Sequence, residues 1–223
     1  MTVDCIFMDL DGTLYDLDDV IRSVYQMQVD FLKANTDMTE LQIIQWFEEN
    51  RVYPYKTAEA RSATALFAEA GIDKKLWSRY KDEYLDVSDL RPVPEVNEAL
   101  LQKLSQIAPV CLVSSNTMAN IDKILGKLGL SRSLFSAVVS SDSVSCEGGF
   151  CKDAVFARIA EDLGVPMMDT VSIGDRFATD IEPLLQLGGK GILLHKPSAL
   201  PQVCSDLQAD TLRTCDGYSV YGG

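Results

Sequence analysis

Short apolar segments alternate with helical segments over the second half of the chain, and this alternation restricts the fold more than any other feature. The strand-like segments are Val110–Val113, Ala137–Val139, Thr170–Ile173 and Gly191–Leu194. The helical segments are Glu95–Gln106, Met118–Leu128, Asp153–Leu163 and Ala178–Leu187. Strands and helices that alternate in this way form a parallel sheet with helices on both faces. With the apolar run Val3–Met8 as a first strand, we predict a doubly wound α/β domain.

The region between the first strand and this alternating part has a different pattern. From about Asp18 to Asp86 apolar residues recur every three or four positions, and no strand-like run occurs. The pattern predicts four helices in an antiparallel bundle. We therefore predict an α/β core from residues 1–16 and 90–223, with an inserted all-helical domain at 17–89. An insertion directly after the first strand is expected to act as a lid over the end of that strand.

Composition excludes several classes of partner. The formal net charge of −13 disfavours binding to nucleic acid, which requires clustered basic residues. No segment has the length of a membrane span, and no basic leader precedes an apolar run. We therefore expect a cytoplasmic protein without a membrane partner, in which the six cysteines are reduced. The cysteine spacing does not favour a structural zinc site. Monomer and homodimer both remain open.

Polar residues follow the predicted strands where each strand ends. Asp9 and Asp11 follow the first strand, Ser115 and Asn116 follow the second, and Asp175 follows a later one. Open α/β sheets bind ligands at the carboxyl ends of their strands, so we expect these side chains to lie together. One carboxylate of such a pair can attack a substrate, the other can move a proton, and both can face a hard cation.

Three segments resemble motifs of the haloacid dehalogenase-like (HAD) superfamily. Asp9-Leu10-Asp11-Gly12-Thr13-Leu14 resembles the first motif, Leu112-Val113-Ser114-Ser115-Asn116 the second, and the segment from Gly174 to Asp180 the fourth. The inserted helical block is similar to the helical cap of one branch of that superfamily. The resemblance implies a Rossmann-like core with a four-helix-bundle cap.

The third motif departs from the form that is common in this superfamily. Members with a helical cap often have Lys-Pro six residues before a Phe that opens a helix. Here Lys152 is followed by Asp153 and lies four residues before Phe156. We take Lys152 as the lysine of this motif, with Arg158 as the alternative.

The resemblance also implies a role for each residue. Asp9 is expected to form an aspartyl-phosphate, and Asp11 to act as general acid and base. Mg²⁺ is expected at Asp9, Asp175 and the backbone carbonyl of Asp11. The phosphoryl oxygens are assigned to Ser115, Asn116 and Lys152, and supporting roles to Asp180 and Gly12.

Asp11 separates the chemistries found in this superfamily. Dehalogenases lack an acid at that position, because a halide leaves as an anion and needs no proton. Sugar-phosphate mutases usually have Asp-Thr and a nearby His after the first motif, whereas this chain has Tyr15-Asp16-Leu17. We therefore expect a Mg²⁺-dependent phosphomonoester hydrolase acting on a small phosphorylated metabolite, with nucleoside monophosphates and phosphoglycolate both open. A phosphotransferase or mutase, or a non-catalytic scaffold, is the alternative.

Residues of the helical block allow two interpretations. They contact the leaving group of the substrate, or they are solvated helix ends and a packed tyrosine. The residues concerned are Arg51, Tyr53, Tyr55, Lys56 and Arg61.

Overall fold

The chain divides into two compact units. The computed structural model describes residues 2–52, 63–143 and 150–222. One unit comprises Met1–Leu17 and Leu90–Gly223, and the other comprises Asp18–Asp89. The first contains the sheet, and the second is helical in its described part. Tyr53, Tyr55, Lys56 and Arg61, for which two roles were considered above, lie outside the described residues.

The first unit is built on a sheet of six strands. They are β1 (Cys5–Met8), β2 (Val110–Val113), β3 (Ala137–Val139), β4 (Thr170–Gly174), β5 (Lys190–Leu194) and β6 (Tyr218–Tyr221). The spatial order is β3-β2-β1-β4-β5-β6. Strands β1 to β5 are parallel, and β6 pairs antiparallel with β5. The predicted α/β fold with a mainly parallel sheet is confirmed.

Strand β1 occupies the middle of the sheet. Phe7 lies opposite Cys111 of β2 and Ser172 of β4. All residues of β1, β2 and β4 are buried, as expected for strands covered on both faces. Because these neighbours are parallel, the residues that follow them meet at one edge of the sheet.

The described residues form nine α-helices. They are α1 (Ile21–Asn35), α2 (Glu40–Glu49), α3 (Ala63–Glu69), α4 (Lys74–Tyr84), α5 (Glu98–Ile107), α6 (Met118–Leu128), α7 (Lys152–Leu163), α8 (Glu182–Gln186) and α9 (Leu200–Ala209). Local signals explain several ends. The Thr117 side chain accepts a hydrogen bond from the backbone of Asn120 at the start of α6. Gly129 ends that helix with φ 71°, and Gly164 ends α7 with φ 67°.

Two segments differ from the sequence-based expectation. The helix predicted over Ala178–Leu187 is a π-helical turn, Phe177–Ile181, followed by α8. Pro183 in the first turn of α8 has no backbone N–H, which is compatible with a new helix start but not with one continuous helix. Beyond Pro197, where weak periodicity predicts no element, the chain forms α9 and β6. The Tyr218 hydroxyl donates to Asp206, and this contact ties β6 to α9.

The helical unit has its own apolar core. Buried aliphatic and aromatic residues form this core, with one buried aromatic ring from each of the four described helices, and the Phe31 and Trp77 ring centroids lie 4.8 Å apart. The Trp77 indole donates to the Thr64 hydroxyl at 3.0 Å, which satisfies its buried N–H. Arg51 is exposed and has φ 49°. No helix in the described ranges has the length and apolar character needed to cross a membrane.

Candidate active site

The site begins directly beyond the central strands. The backbone N–H of Asp9 donates to the Ile173 carbonyl at 2.9 Å, and that of Ser114 donates to the Val139 carbonyl at 3.0 Å. These bonds continue the sheet pattern one residue past β1 and β2. Asp9 and Ser114 are therefore held by the sheet itself, at the edge where open α/β sheets bind ligands.

Lys152 is a buried cation between two buried carboxylates. Its Nζ lies 2.5 Å from Oδ1 of Asp9 and 2.8 Å from Oδ1 of Asp180. Relative exposures are 8% for Lys152 and Asp9 and 2% for Asp180. Burial alone lowers the pKa of Lys152, but the two carboxylates outweigh it and hold the pKa above its ordinary value. Lys152 is therefore a fixed positive charge beside Asp9.

Arg158, the other basic residue considered for the third motif, lies elsewhere on α7. Its side chain is 76% exposed and lies 3.8 Å from Asp162, one helical turn away. An exposed pair of this kind contributes little to stability. Of the two basic residues, the structure brings only Lys152 to Asp9.

Asp180 is held by donors on both carboxylate oxygens. Lys152 and the Thr179 hydroxyl, at 3.0 Å, contact Oδ1, and the Arg176 backbone N–H donates to Oδ2 at 2.9 Å. The Ser172 hydroxyl also donates to the backbone carbonyl of Asp180 at 2.6 Å. The π-helical turn after β4 carries Asp180 back to this position. Because both of its oxygens are held, Asp180 is fixed in place and orients Lys152.

Asp175 has the opposite environment. Its Oδ1 is buried and has no hydrogen-bond partner in the described part of the chain. Burial first, and then the charges of Asp180 and Asp11, raise the pKa of Asp175 to about 7. Burial and the neighbouring carboxylates also raise the pKa of Asp9 and outweigh the effect of Lys152. Both pKa values are raised because this buried cluster contains more carboxylates than Lys152 alone can offset.

The carboxylates fit a hard divalent cation. Ligand oxygens of Asp9, Asp175 and Asp180 lie within 4.8 Å of one another. Carboxylate oxygens suit Mg²⁺, and its charge would reverse the unfavourable local field. Because donors already occupy both oxygens of Asp180, Asp9 and Asp175 are the better ligands. Gly12, with φ 71°, makes room for them, since an added Cβ would collide with the Asp175 carboxylate.

The raised pKa of Asp175 predicts how the stability of the fold depends on pH. An acid whose pKa is higher in the folded protein binds its proton more tightly there, so stability falls as pH rises from about 4 to about 7. In chelator, the melting temperature of the wild type relative to that of Asp175→Asn is expected to fall across this window. At pH 8, Mg²⁺ should raise the wild-type melting temperature and have little effect on the variant. Thermal unfolding measures both, with the exposed Asp4→Asn as control; an equal slope in all three proteins would contradict the prediction.

Asp11 is held separately from the Asp9 cluster. The Tyr15 hydroxyl donates to Oδ1 of Asp11 at 2.6 Å, and the Asn116 side-chain nitrogen donates to Oδ2 at 2.7 Å. Ser114 Oγ accepts from the Asn116 backbone N–H at 3.2 Å, whereas the Ser115 side chain is exposed. The sequence-based list of site residues lacks Tyr15. Its spacing of four residues from Asp11 was the available signal, since such residues face each other across a helical turn.

Comparisons with known proteins agree with the fold. A family model described as haloacid dehalogenase-like hydrolase matches residues 3–188. A search of curated proteins finds no significant match. Among solved structures, a predicted phosphoglycolate phosphatase from Haemophilus somnus 129pt has a TM-score of 0.60 at 20% identity, covering 95% of this chain and 99% of its own.

Other solved structures of similar fold have different printed activities. A HAD phosphatase from Thermococcus onnurineus has a TM-score of 0.59 at 17% identity, covering 86% of each chain. A 2-haloacid dehalogenase from Pseudomonas syringae pv. Tomato DC3000 has a TM-score of 0.53 at 20% identity, covering 91% of this chain and 98% of its own. At such identities these likenesses show the fold alone. The family match extends over most of the sequence, and the chain belongs to the haloacid dehalogenase-like hydrolase family.

Proposed function

We propose that the protein is a phosphomonoester hydrolase that acts on a small phosphorylated metabolite with Mg²⁺. The observation that carries the proposal is the separation of two carboxylates after β1. Asp9 lies against Lys152, whereas Asp11 is held by its own two donors. Two carboxylates in different environments suit two roles, one as nucleophile and one as proton donor.

The first step would use both carboxylates. Asp9 attacks phosphorus, the bond between phosphorus and the ester oxygen breaks, and the leaving oxygen takes a proton from Asp11. The buried charge of Lys152 offsets part of the negative charge that meets at Asp9. Ser115 and Asn116 remain the residues proposed to contact phosphoryl oxygens.

The second step regenerates Asp9. Asp11 takes a proton from water, the water oxygen attacks the aspartyl-phosphate, and the Asp9 carboxylate leaves. Asp9, Asp175 and the backbone carbonyl of Asp11 would hold Mg²⁺, with Asp180 and Gly12 in support. When bound, Mg²⁺ supplies positive charge that allows a carboxylate to approach a phosphate dianion.

Asp11 also favours phosphate esters over alkyl halides. An alkoxide is a poor leaving group and needs a proton, whereas a halide leaves as a stable anion. Asp11, which is held by donors on both carboxylate oxygens, can protonate the leaving oxygen of an ester. The departure of a halide needs no such proton donor. The presence of dehalogenases among proteins of similar fold makes this distinction worth testing directly.

A substrate panel tests the proposal. Purified protein with Mg²⁺ is expected to hydrolyse p-nitrophenyl phosphate and at least one ester among nucleoside monophosphates, sugar phosphates and phosphoglycolate. Chelator should lower the rate by about a hundredfold or more, because the charge that the cation supplies is worth several kcal/mol. Phosphate release measures the rate, and halide release from a 2-haloacid is the parallel assay. Halide release without phosphate release would contradict the proposal, and transfer of phosphate to an added alcohol would identify a phosphotransferase.

A further inference from the structure

We propose that Tyr15 and Asn116 are positioning residues for Asp11, which fix the orientation from which it transfers its proton. The inference rests on the proposed function and deepens it. In the sequence, Tyr15 served only to distinguish this chain from sugar-phosphate mutases, and Asn116 was expected only to bind phosphate. Neither reading requires a contact with Asp11, yet the structure places both side chains on its carboxylate.

The two donors hold different oxygens from different parts of the fold. Tyr15 reaches Oδ1 from the turn that follows β1, in which the Leu14 backbone N–H donates to the Leu10 carbonyl at 3.0 Å. Asn116 reaches Oδ2 from the segment after β2, 105 residues further along the chain. One donor would leave the carboxylate able to rotate about its last side-chain bond. Two donors on opposite oxygens define its plane.

Burial makes Tyr15 a rigid partner. The residue is 2% exposed, whereas Asp11 is only partly buried. A buried ring has already lost its rotational freedom during folding, so holding Asp11 costs little further side-chain entropy. A hydroxyl to a carboxylate oxygen at 2.6 Å is also in the range of a charge-assisted hydrogen bond, which is stronger than one between neutral groups. The ring therefore provides a fixed point from which Asp11 is oriented.

The chemistry of a hydroxyl suits a residue that gives and takes a proton. The Tyr15 hydroxyl can donate to an ionised Asp11 or accept from a protonated one, whereas the side-chain nitrogen of Asn116 can only donate. The contact with Tyr15 is thus compatible with both forms of Asp11 in the reaction. With Oδ2 accepting from Asn116, the proton of Asp11 belongs on Oδ1, beside Tyr15.

The kinetic test compares two leaving groups in Tyr15→Phe. The variant keeps the ring and removes the hydroxyl. An alkyl phosphate needs the proton of Asp11 when its alkoxide leaves, whereas p-nitrophenolate leaves without one. Because kcat/KM covers the steps up to departure of the leaving group, we expect kcat/KM for the alkyl phosphate to fall about tenfold more than for p-nitrophenyl phosphate, as loss of one orienting hydrogen bond implies. Asn116→Ala should change the same ratio in the same direction.

Tyr218→Phe is the matched control, because it also removes a hydrogen bond from tyrosine to aspartate, between β6 and α9. It should leave the ratio of the two kcat/KM values unchanged. If kcat/KM falls equally for both substrates in Tyr15→Phe, the role of Tyr15 is merely structural and the proposal is overturned. The absence of any fall would overturn it as well. Melting temperatures identify any variant whose loss reflects unfolding.

Crystal structures of the wild type and Tyr15→Phe give a readout that does not need turnover. We expect the Asp11 carboxylate to rotate, or to occupy more than one orientation, when the hydroxyl is absent. An Asp11 in the same single orientation in both proteins overturns the positioning role even if the enzyme is active. If the wild type hydrolyses neither ester, the phosphomonoesterase proposal fails, and the two crystal structures still decide whether Tyr15 positions Asp11.

Discussion

Asp9→Asn is expected to lower the turnover of a phosphate ester by about four orders of magnitude or more, as removal of a nucleophile does in other enzymes. An amide at this position cannot form the acyl-phosphate. The substitution also removes one negative charge from a buried cluster in which the other carboxylates raise the pKa of Asp9, and Asp180 remains to pair with Lys152. The fold should therefore persist. Phosphate release measures turnover, and mass spectrometry of acid-quenched protein detects the phosphorylated form.

Asp4→Asn is the control for this experiment. Asp4 is exposed and lies just before β1, so the same chemical change there should leave turnover intact. Thermal unfolding of Asp9→Asn should show a cooperative transition close to that of the wild type. Retention of most of the activity, or a phosphoryl group trapped on another residue, would show that Asp9 is not the nucleophile.

Lys152→Met is expected to lower both activity and stability. Methionine has a similar length but no charge, so Asp9 and Asp180 would remain buried without their common partner. Removing one member of a buried ionic group typically costs about 3–5 kcal/mol, because the remaining charge is uncompensated. We expect a loss of this order in the free energy of unfolding at pH 8 in chelator. Turnover with Mg²⁺ should also fall, since the positive charge beside the nucleophile is gone.

The pH dependence separates this loss from a simple packing defect. The raised pKa of Lys152 means that its contribution to stability is present throughout the neutral range and is lost only as pH rises through that pKa. In Lys152→Met, protonation of Asp9, whose pKa is already raised by burial and by its carboxylate neighbours, removes uncompensated charge, so the loss of stability should be smaller at pH 5 than at pH 8. Denaturant unfolding at both values measures it. Arg158→Met, on the exposed face of the same helix, is the matched control; an equal loss in both variants, or one independent of pH, would contradict the assignment of Lys152.

Much of the fold could be predicted because its signals are local. Four-residue apolar runs predict buried parallel strands, and Gly129 and Gly164 end helices where a left-handed backbone is needed. The π-helical turn and β6 could not be predicted in this way. The first depends on the combination of Pro183 with the packing of Asp180 against Lys152, and the second on pairing with β5. Contacts between distant parts of the chain leave no periodic pattern in either segment.

The candidate site could also be predicted only in part. The residue types and their order after the strands predicted which groups would meet, because parallel strands bring their carboxyl ends to one edge. How they meet was decided by side-chain contacts across long separations. Lys152 reaches Asp9 over 143 residues, and Asn116 reaches Asp11 over 105. The sequence therefore determined the carboxylates and the lysine of the cluster, whereas Tyr15 was not predicted. Only the tertiary structure assigned Lys152 to Asp9 and Asp180, and Tyr15 and Asn116 to Asp11, because hydrogen bonds depend on directions that spacing along a chain does not specify.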